Sequence, residues 1–134
     1  MKWYLAGPMS GYDQQNFPLF DRVAKTLREQ GYDIVSPAEL DSPEERAIAL
    51  ANARSASTWG DFLSRDVKII ADQVQGIIFL PDWPMSRGAR LEATVGLLQP
   101  EFEFEFRMWD DAAQDTYEVG RCAVAYDIFK GMLR

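Results

Sequence analysis

The chain of 134 residues contains no histidine, so acid–base chemistry falls to carboxylates, tyrosine or lysine. Glu92 is the first candidate. It sits in the opening turns of a helix expected near Gly88 to Leu98, with Gly88 at i−4 and Gly96 at i+4 on the same face, so no side chain covers it. A helix N-terminus favours an ionised carboxylate by about 0.3 to 1 kcal/mol, and small neighbours leave room for a substrate, as a nucleophile requires. The same spacing also fits a solvated surface glutamate on an amphipathic helix. Asp66 falls on another helix, flanked by Phe62, Ile69 and Ile70, and so borders an apolar stripe. Partial withdrawal from water raises a carboxyl pKa and lets it act as an acid near neutral pH. The alternative for Asp66 is a surface pairing with Arg65 or Lys68. Taken together, one nucleophilic carboxylate and one acid–base carboxyl can displace a leaving group at a sugar C1 through a covalent intermediate.

Two unusual loops accompany these carboxylates. In Gly7-Pro8-Met9-Ser10-Gly11 the glycines let backbone N–H groups approach a sugar or phosphate, or else form only a tight turn. The loop Pro81 to Arg87 carries Asp82 and Ser86, and Arg87 or Arg90 can pair with an anionic ligand group. With no histidine and one cysteine, only an all-oxygen Mg²⁺ site near Asp82 is conceivable. No metal or cofactor is expected.

The elements that must position these residues follow from periodicity. Trp3 to Ala6 reads as a strand. Between Pro18 and Gln30 the apolar Phe20, Val23, Ala24 and Leu27 trace a helix stopped by Gly31, and Tyr32 to Ser36 is a second strand ended by Pro37. The polar stretch 38–58, with room for a helical turn or two, is expected to be a mobile insertion. From Trp59 onward, Leu63, Val67, Ile70 and Val74 form a helical stripe ended by Gly76, and Ile77 to Leu80 is the apolar run of a strand covered on both faces. Glu101 to Phe106 alternates as an edge strand with one acidic face. After a polar turn near Asp110 and Asp111, Tyr117 to Leu133 is expected to be the final helix.

Alternating strands and helices predict an α/β fold, a single domain over 1–134 with a doubly wound parallel sheet, flavodoxin-like or Rossmann-like. Ligands of such sheets bind beyond the carboxyl ends of the strands, where strand order reverses. If the first and third strands are neighbours, the two loops face each other across one cleft.

Composition narrows the setting. A formal net charge of −7 argues against binding long nucleic acids, which needs clustered Lys and Arg, but leaves room for a small anionic substrate. The lone Cys122, among small apolar residues, reads as a packing residue and suits a reducing, cytoplasmic setting. The N-terminal apolar run is too short for a signal segment or a membrane span, so no membrane partner is expected.

Tyr4-Leu5-Ala6-Gly7-Pro8-Met9-Ser10-Gly11, Asp66 and Ser86-Arg87-Gly88-Ala89-Arg90-Leu91-Glu92 resemble the nucleoside 2-deoxyribosyltransferase superfamily, particularly its small phage and bacterial members without assigned functions. The resemblance covers roughly residues 1 to 100. It implies that Glu92 attacks C1 of a deoxyribose and that Asp66 assists protonation of the base. Substrate contacts would come from Tyr4, Gly7, Pro8, Met9, Ser10, Gly11, Asp82, Ser86 and Gly88. Ser86 is similar to the phosphate-contacting serine of deoxynucleoside 5′-monophosphate N-glycosidases, where transferases acting on free nucleosides carry an acidic residue. Pro8 and Ser10 depart from the serine and arginine of those nucleotide hydrolases, so nucleoside and nucleotide both stay open. The resemblance also implies a homo-oligomer whose neighbouring subunit completes the site. The expected function is cleavage or transfer at the N-glycosidic bond of a 2′-deoxynucleoside or its 5′-monophosphate. The alternatives are a non-catalytic binder of a nucleotide or nucleotide-derived signal, and an NAD-type glycohydrolase.

Overall fold

Residue alternation along the first strand already divides the interior in two. In the computed structural model, which describes residues 1–54 and 57–134, β1 (Lys2–Ala6) sends Trp3 and Leu5 to one face and Tyr4 and Ala6 to the other. β3 (Gly76–Phe79) divides likewise, Ile78 joining the first face and Ile77 and Phe79 the second. α1 (Phe17–Glu29) covers the first face with Phe20, Val23, Ala24 and Leu27. α3 (Trp59–Asp72), α4 (Arg87–Leu97) and α5 (Arg121–Met132) cover the second with Ile69, Ile70, Ala89, Ala93 and Val124. The fold is therefore α/β, with helices on both faces of one sheet.

β2 (Asp33–Val35), β4 (Glu105–Asp110) and β5 (Asp115–Val119) complete the sheet, whose order is β2-β1-β3-β4-β5. The first four strands run parallel and β5 is antiparallel to β4. This is the flavodoxin-like order, and its reversal point lies between β1 and β3. The loops after those two strands are thus neighbours, as the sequence requires of a shared cleft. Among the described residues no helix is long and apolar enough to cross a membrane.

Within 38–58 the room for a helical turn or two is taken by α2 (Pro43–Leu50), which follows a 3₁₀ turn at Pro37–Glu39. Ser42 caps α2 by accepting from the Glu45 N–H, Pro43 opens its first turn, and Ala38 and Ala49 are buried. Residues 55 and 56 of that stretch lie outside the described residues. Three expectations need correction. First, the acidic alternation does not form one edge strand. Glu101–Glu103 is a 3₁₀ turn that turns Phe102 out to 98% exposure, while Phe104 and Phe106 enter the core and β4 runs between β3 and β5. Second, Asp115–Val119, which straddles the expected start of the last helix, is the edge strand β5. Backbone pairing with β4 and the Arg107 Nε–H bond to Thr116 Oγ1 at 2.6 Å decide this, a non-local interaction that outweighs local pattern. α5 then leaves Cys122 exposed, together with Tyr126 and Phe129. Third, the expected packing role of Cys122 fails because α5 buries its opposite side, through Val124 and Gly131.

Gly76 lets β1, β3 and β4 close together. A Cβ there would lie 2.5 Å from the Trp3 ring and 2.9 Å from the Glu105 carbonyl oxygen, and the latter belongs to the backbone and cannot rotate away. Gly76→Ala is expected to destabilise by about 1–3 kcal/mol through overpacking. Urea unfolding checks this: the midpoint drops with the m-value unchanged, whereas an unaltered midpoint would mean that the strands can part at no cost.

Candidate active site

The side chains that meet at the reversal point come from three elements. Tyr4 stands on β1 and points to the α3–α4 side, where its hydroxyl donates to Glu92 Oε2 at 2.5 Å. Glu92 belongs to the inward face of α4, with Ala89, Ala93 and Gly96. Asp66 reaches the same place from α3. Relative exposures of 0% for Tyr4, 6% for Glu92 and 7% for Asp66 make this a buried cluster, where unpaired charge is costly.

The two glycines flanking Glu92 do different work. A Cβ at Gly96 would press within 2.8 Å of Phe104 and 3.1 Å of Ile77, so Gly96 draws α4 onto the sheet. At Gly88 the nearest atoms to a Cβ are Trp59 Nε1 at 3.8 Å and Ser86 Oγ at 3.9 Å, which leaves that side open to the cleft. The expectation that no side chain covers Glu92 is therefore wrong on the Gly96 side, and Tyr4 covers its carboxyl. The expected electrostatics reverse as well. Burial raises the Glu92 pKa to about 8; the Tyr4 hydrogen bond opposes this, the Asp66 charge adds to it, and Arg65 opposes it. Desolvation thus outweighs the helix N-terminus.

Asp66 shows both features read from its spacing. Burial raises its pKa, against the pull of Arg65, whose Nε–H donates to Asp66 Oδ1 at 2.8 Å. Lys68 pairs instead with Asp72, at 3.5 Å. Burial, with the charges of Glu92 and Asp66, also raises the Tyr4 pKa well above its ordinary value and keeps the phenol neutral. The Tyr4 hydroxyl interacts with both carboxyls, so all three titrate as a connected group.

These groups sit at the base of a cleft of about 900 Å³. Of the residues expected to contact substrate, Tyr4, Gly7, Pro8, Met9, Ser10, Ser86 and Gly88 line it. Ser86 also caps α4, its Oγ accepting from the Ala89 N–H at 3.2 Å. Gly7 serves packing too, since a Cβ there would meet Leu80 Cβ at 2.8 Å. Gly11 and Asp82 are not among the lining residues. Gly11, at φ 84°, makes the turn after the loop, a conformation suited to glycine. Asp82, at φ 66°, starts the 3₁₀ turn Trp83–Met85 and borders a separate small depression beside Asp127, Lys130 and Arg134. Arg87 lines the cleft with its guanidinium 4.5 Å above the Trp59 ring, while Arg90 donates to the Pro84 carbonyl. Among the described residues no three His, Cys, Asp or Glu side chains are grouped as metal ligands would be.

Several lining residues escaped the sequence reading: Tyr12, Asp41, Arg54, Trp59 and Arg65. Arg65 appeared only as a surface partner of Asp66. The remaining signals were weak, because Asp41 and Arg54 fall in the stretch read as an insertion and Trp59 was read only as a helix start.

Residues 1–99 match a sequence family described as a domain of unknown function, DUF4406. The chain belongs to this family. The matched span holds the whole cluster, Tyr4, Asp66 and Glu92, and ends before β4. No curated protein matches the chain.

In this DUF4406 protein the raised Glu92 pKa links folding to pH. Because the folded state holds the Glu92 proton more tightly than the unfolded chain, its stabilising contribution is complete below the ordinary value of 4.5 and is lost as pH rises to about 8. Glu92→Gln removes that dependence. Thermal melts at about pH 5 and about pH 9 are expected to show the variant gaining on the parent at the higher pH, and a constant difference across the two would contradict a buried, protonated Glu92.

Proposed function

We propose that this protein cleaves or transfers the N-glycosidic bond of a 2′-deoxynucleoside or its 5′-monophosphate through a glycosyl intermediate on Glu92. The observation that carries the reading is the pair of buried carboxyls, Glu92 and Asp66, that line the cleft together, Glu92 accepting from the Tyr4 hydroxyl at 2.5 Å. Near neutral pH the pair keeps one proton, held chiefly at Glu92. A singly protonated pair has what the reaction needs, one carboxylate and one carboxylic acid.

In the first step the proton passes to Asp66 by way of the Tyr4 hydroxyl, and a Glu92 oxygen forms a bond to C1 of the sugar. The C1–N bond breaks, its electron pair leaves with the base, and Asp66 delivers the proton to that base. In the second step water, or the nitrogen of another base, attacks C1. Its proton goes to Asp66 and the Glu92–C1 bond breaks, so the pair regains its one proton. Tyr4, neutral throughout, hydrogen-bonds Glu92 as it leaves.

Ser86, Arg87 and Arg54 in the lining of the cleft favour a substrate carrying an anionic group. Incubation with a panel of deoxynucleosides and their 5′-monophosphates, read as free base by chromatography, tests the proposal. Base release is expected, faster from the monophosphates, declining above about pH 8 where the pair loses its last proton. Glu92→Gln is expected to lower the rate on the order of 10³-fold or more, and Asp66→Asn by roughly 10²- to 10⁴-fold. Base release by Glu92→Gln at the parent rate would eliminate this mechanism. Tight binding with no product over hours would replace it with a nucleotide-binding role, and turnover of NAD in place of deoxynucleosides would redirect it to a glycohydrolase.

A further inference from the structure

Arg65 lies between two buried carboxylates and has its whole fork engaged. Its Nε–H donates to Asp66 Oδ1 at 2.8 Å, its Nη1 to Asp41 Oδ1 at 2.6 Å, and its Nη2 reaches the Pro37 carbonyl at 3.4 Å. The Phe62 ring lies 5.5 Å from the guanidinium carbon. The Asp41 side chain is 7% exposed, so this pairing is not the weak, screened kind found on surfaces. An arginine serving one carboxylate tends to bind it through both oxygens. Here Arg65 holds Asp66 through Oδ1 alone, because Asp41 engages its Nη1 and the Pro37 carbonyl its Nη2.

We propose that Asp41 is a positioning residue: by sharing Arg65 with Asp66 it keeps Asp66 held through a single oxygen in the lining of the cleft. The inference rests on the reading of the Asp66–Glu92 pair as acid and nucleophile, but its physical content can be measured without turnover. The charged or titratable groups acting on Asp66 are Arg65 from its own helix, Tyr4 from β1, Glu92 from α4 and Asp41 from the loop before α2. The Asp41 charge favours a proton on Asp66 and the Arg65 charge opposes it. The two residues therefore act in opposite senses on one site, although they form one ion pair.

That opposition separates positioning from mere structural support. Asp41→Asn leaves Arg65 to Asp66 alone, so the pair loses its proton more easily and the alkaline limb of the pH–rate profile moves to lower pH. Arg65→Gln removes the positive charge and moves the limb to higher pH. KM is expected to stay within about twofold while kcat carries the change. Carbon-13 NMR titration of the carboxyl groups in the full-length protein reads the same displacements without substrate, so a failure to find base release and a failure of this inference are distinguishable. Should Arg65→Gln not fold, Asp41→Asn and Asp41→Glu decide between them: the first shifts the titration and the second restores the parent's. Shifts in the same direction for Asp41→Asn and Arg65→Gln, or no shift with Asp41→Asn, would overturn the proposal.

Discussion

The hydrogen bond from Tyr4 to Glu92 is the constraint on which the rest of the site depends. It joins β1 to α4 at 2.5 Å, between buried residues that are 88 positions apart in the chain. Several features of the sequence serve that approach. β1 must lie beside β3, which the parallel pairing of Tyr4 with Ile77 secures. α4 must lie close on the sheet, which Gly96 allows. The chain must then leave the sheet as helix, and Ser86 at the cap begins that helix one turn and a half before Glu92.

Burial is what turns these residues from surface carboxylates into a chemical pair. An exposed Glu at a helix start would be ionised at neutral pH and would behave as an ordinary solvated charge. At 6% exposure the same group takes up a proton, and Asp66 next to it, held by Arg65, supplies the negative charge that strengthens this. A neutral tyrosine hydrogen-bonds Glu92 and feels the charge of Asp66 as well. Arg65 and Asp41 extend the arrangement along the lining of the cleft, where each charge has a counter-charge within 3 Å, as buried ions require.

How far the sequence reveals this depends on whether local pattern or distant contact decides. The strand–loop–helix alternation, the helix of Phe20, Val23, Ala24 and Leu27, and the apolar run at Ile77 are periodic signals, and the structure has them all. The parallel sheet follows from these, and with it the meeting of the β1 and β3 loops. Glu92 and Asp66 could be singled out beforehand because glycine spacing, an apolar border and the lack of histidine are local facts, whereas Tyr4 entered only through a family resemblance. The burial of Glu92 could not, since it is covered by a strand at the other end of the matched span. β5 was hidden for the same reason. Thr116 and Tyr117 have no distinct strand pattern, and their placement depends on pairing with Trp109 and Met108. Asp41 was hidden by composition, because a polar, proline-containing stretch resembles an insertion until Ser42 and Pro43 are seen to cap a helix.

The central claim is that Glu92 becomes covalently bonded to C1 of a sugar. A 2-fluoro-2-deoxy nucleoside or nucleotide analogue, whose fluorine slows departure from the intermediate, tests this most directly when the treated protein is digested and analysed by mass spectrometry. The account predicts one fluorosugar adduct, on the peptide containing Glu92, absent from Glu92→Gln and retained in Asp41→Asn. An adduct on another residue, or base release from the analogue with no adduct at any time, would contradict it.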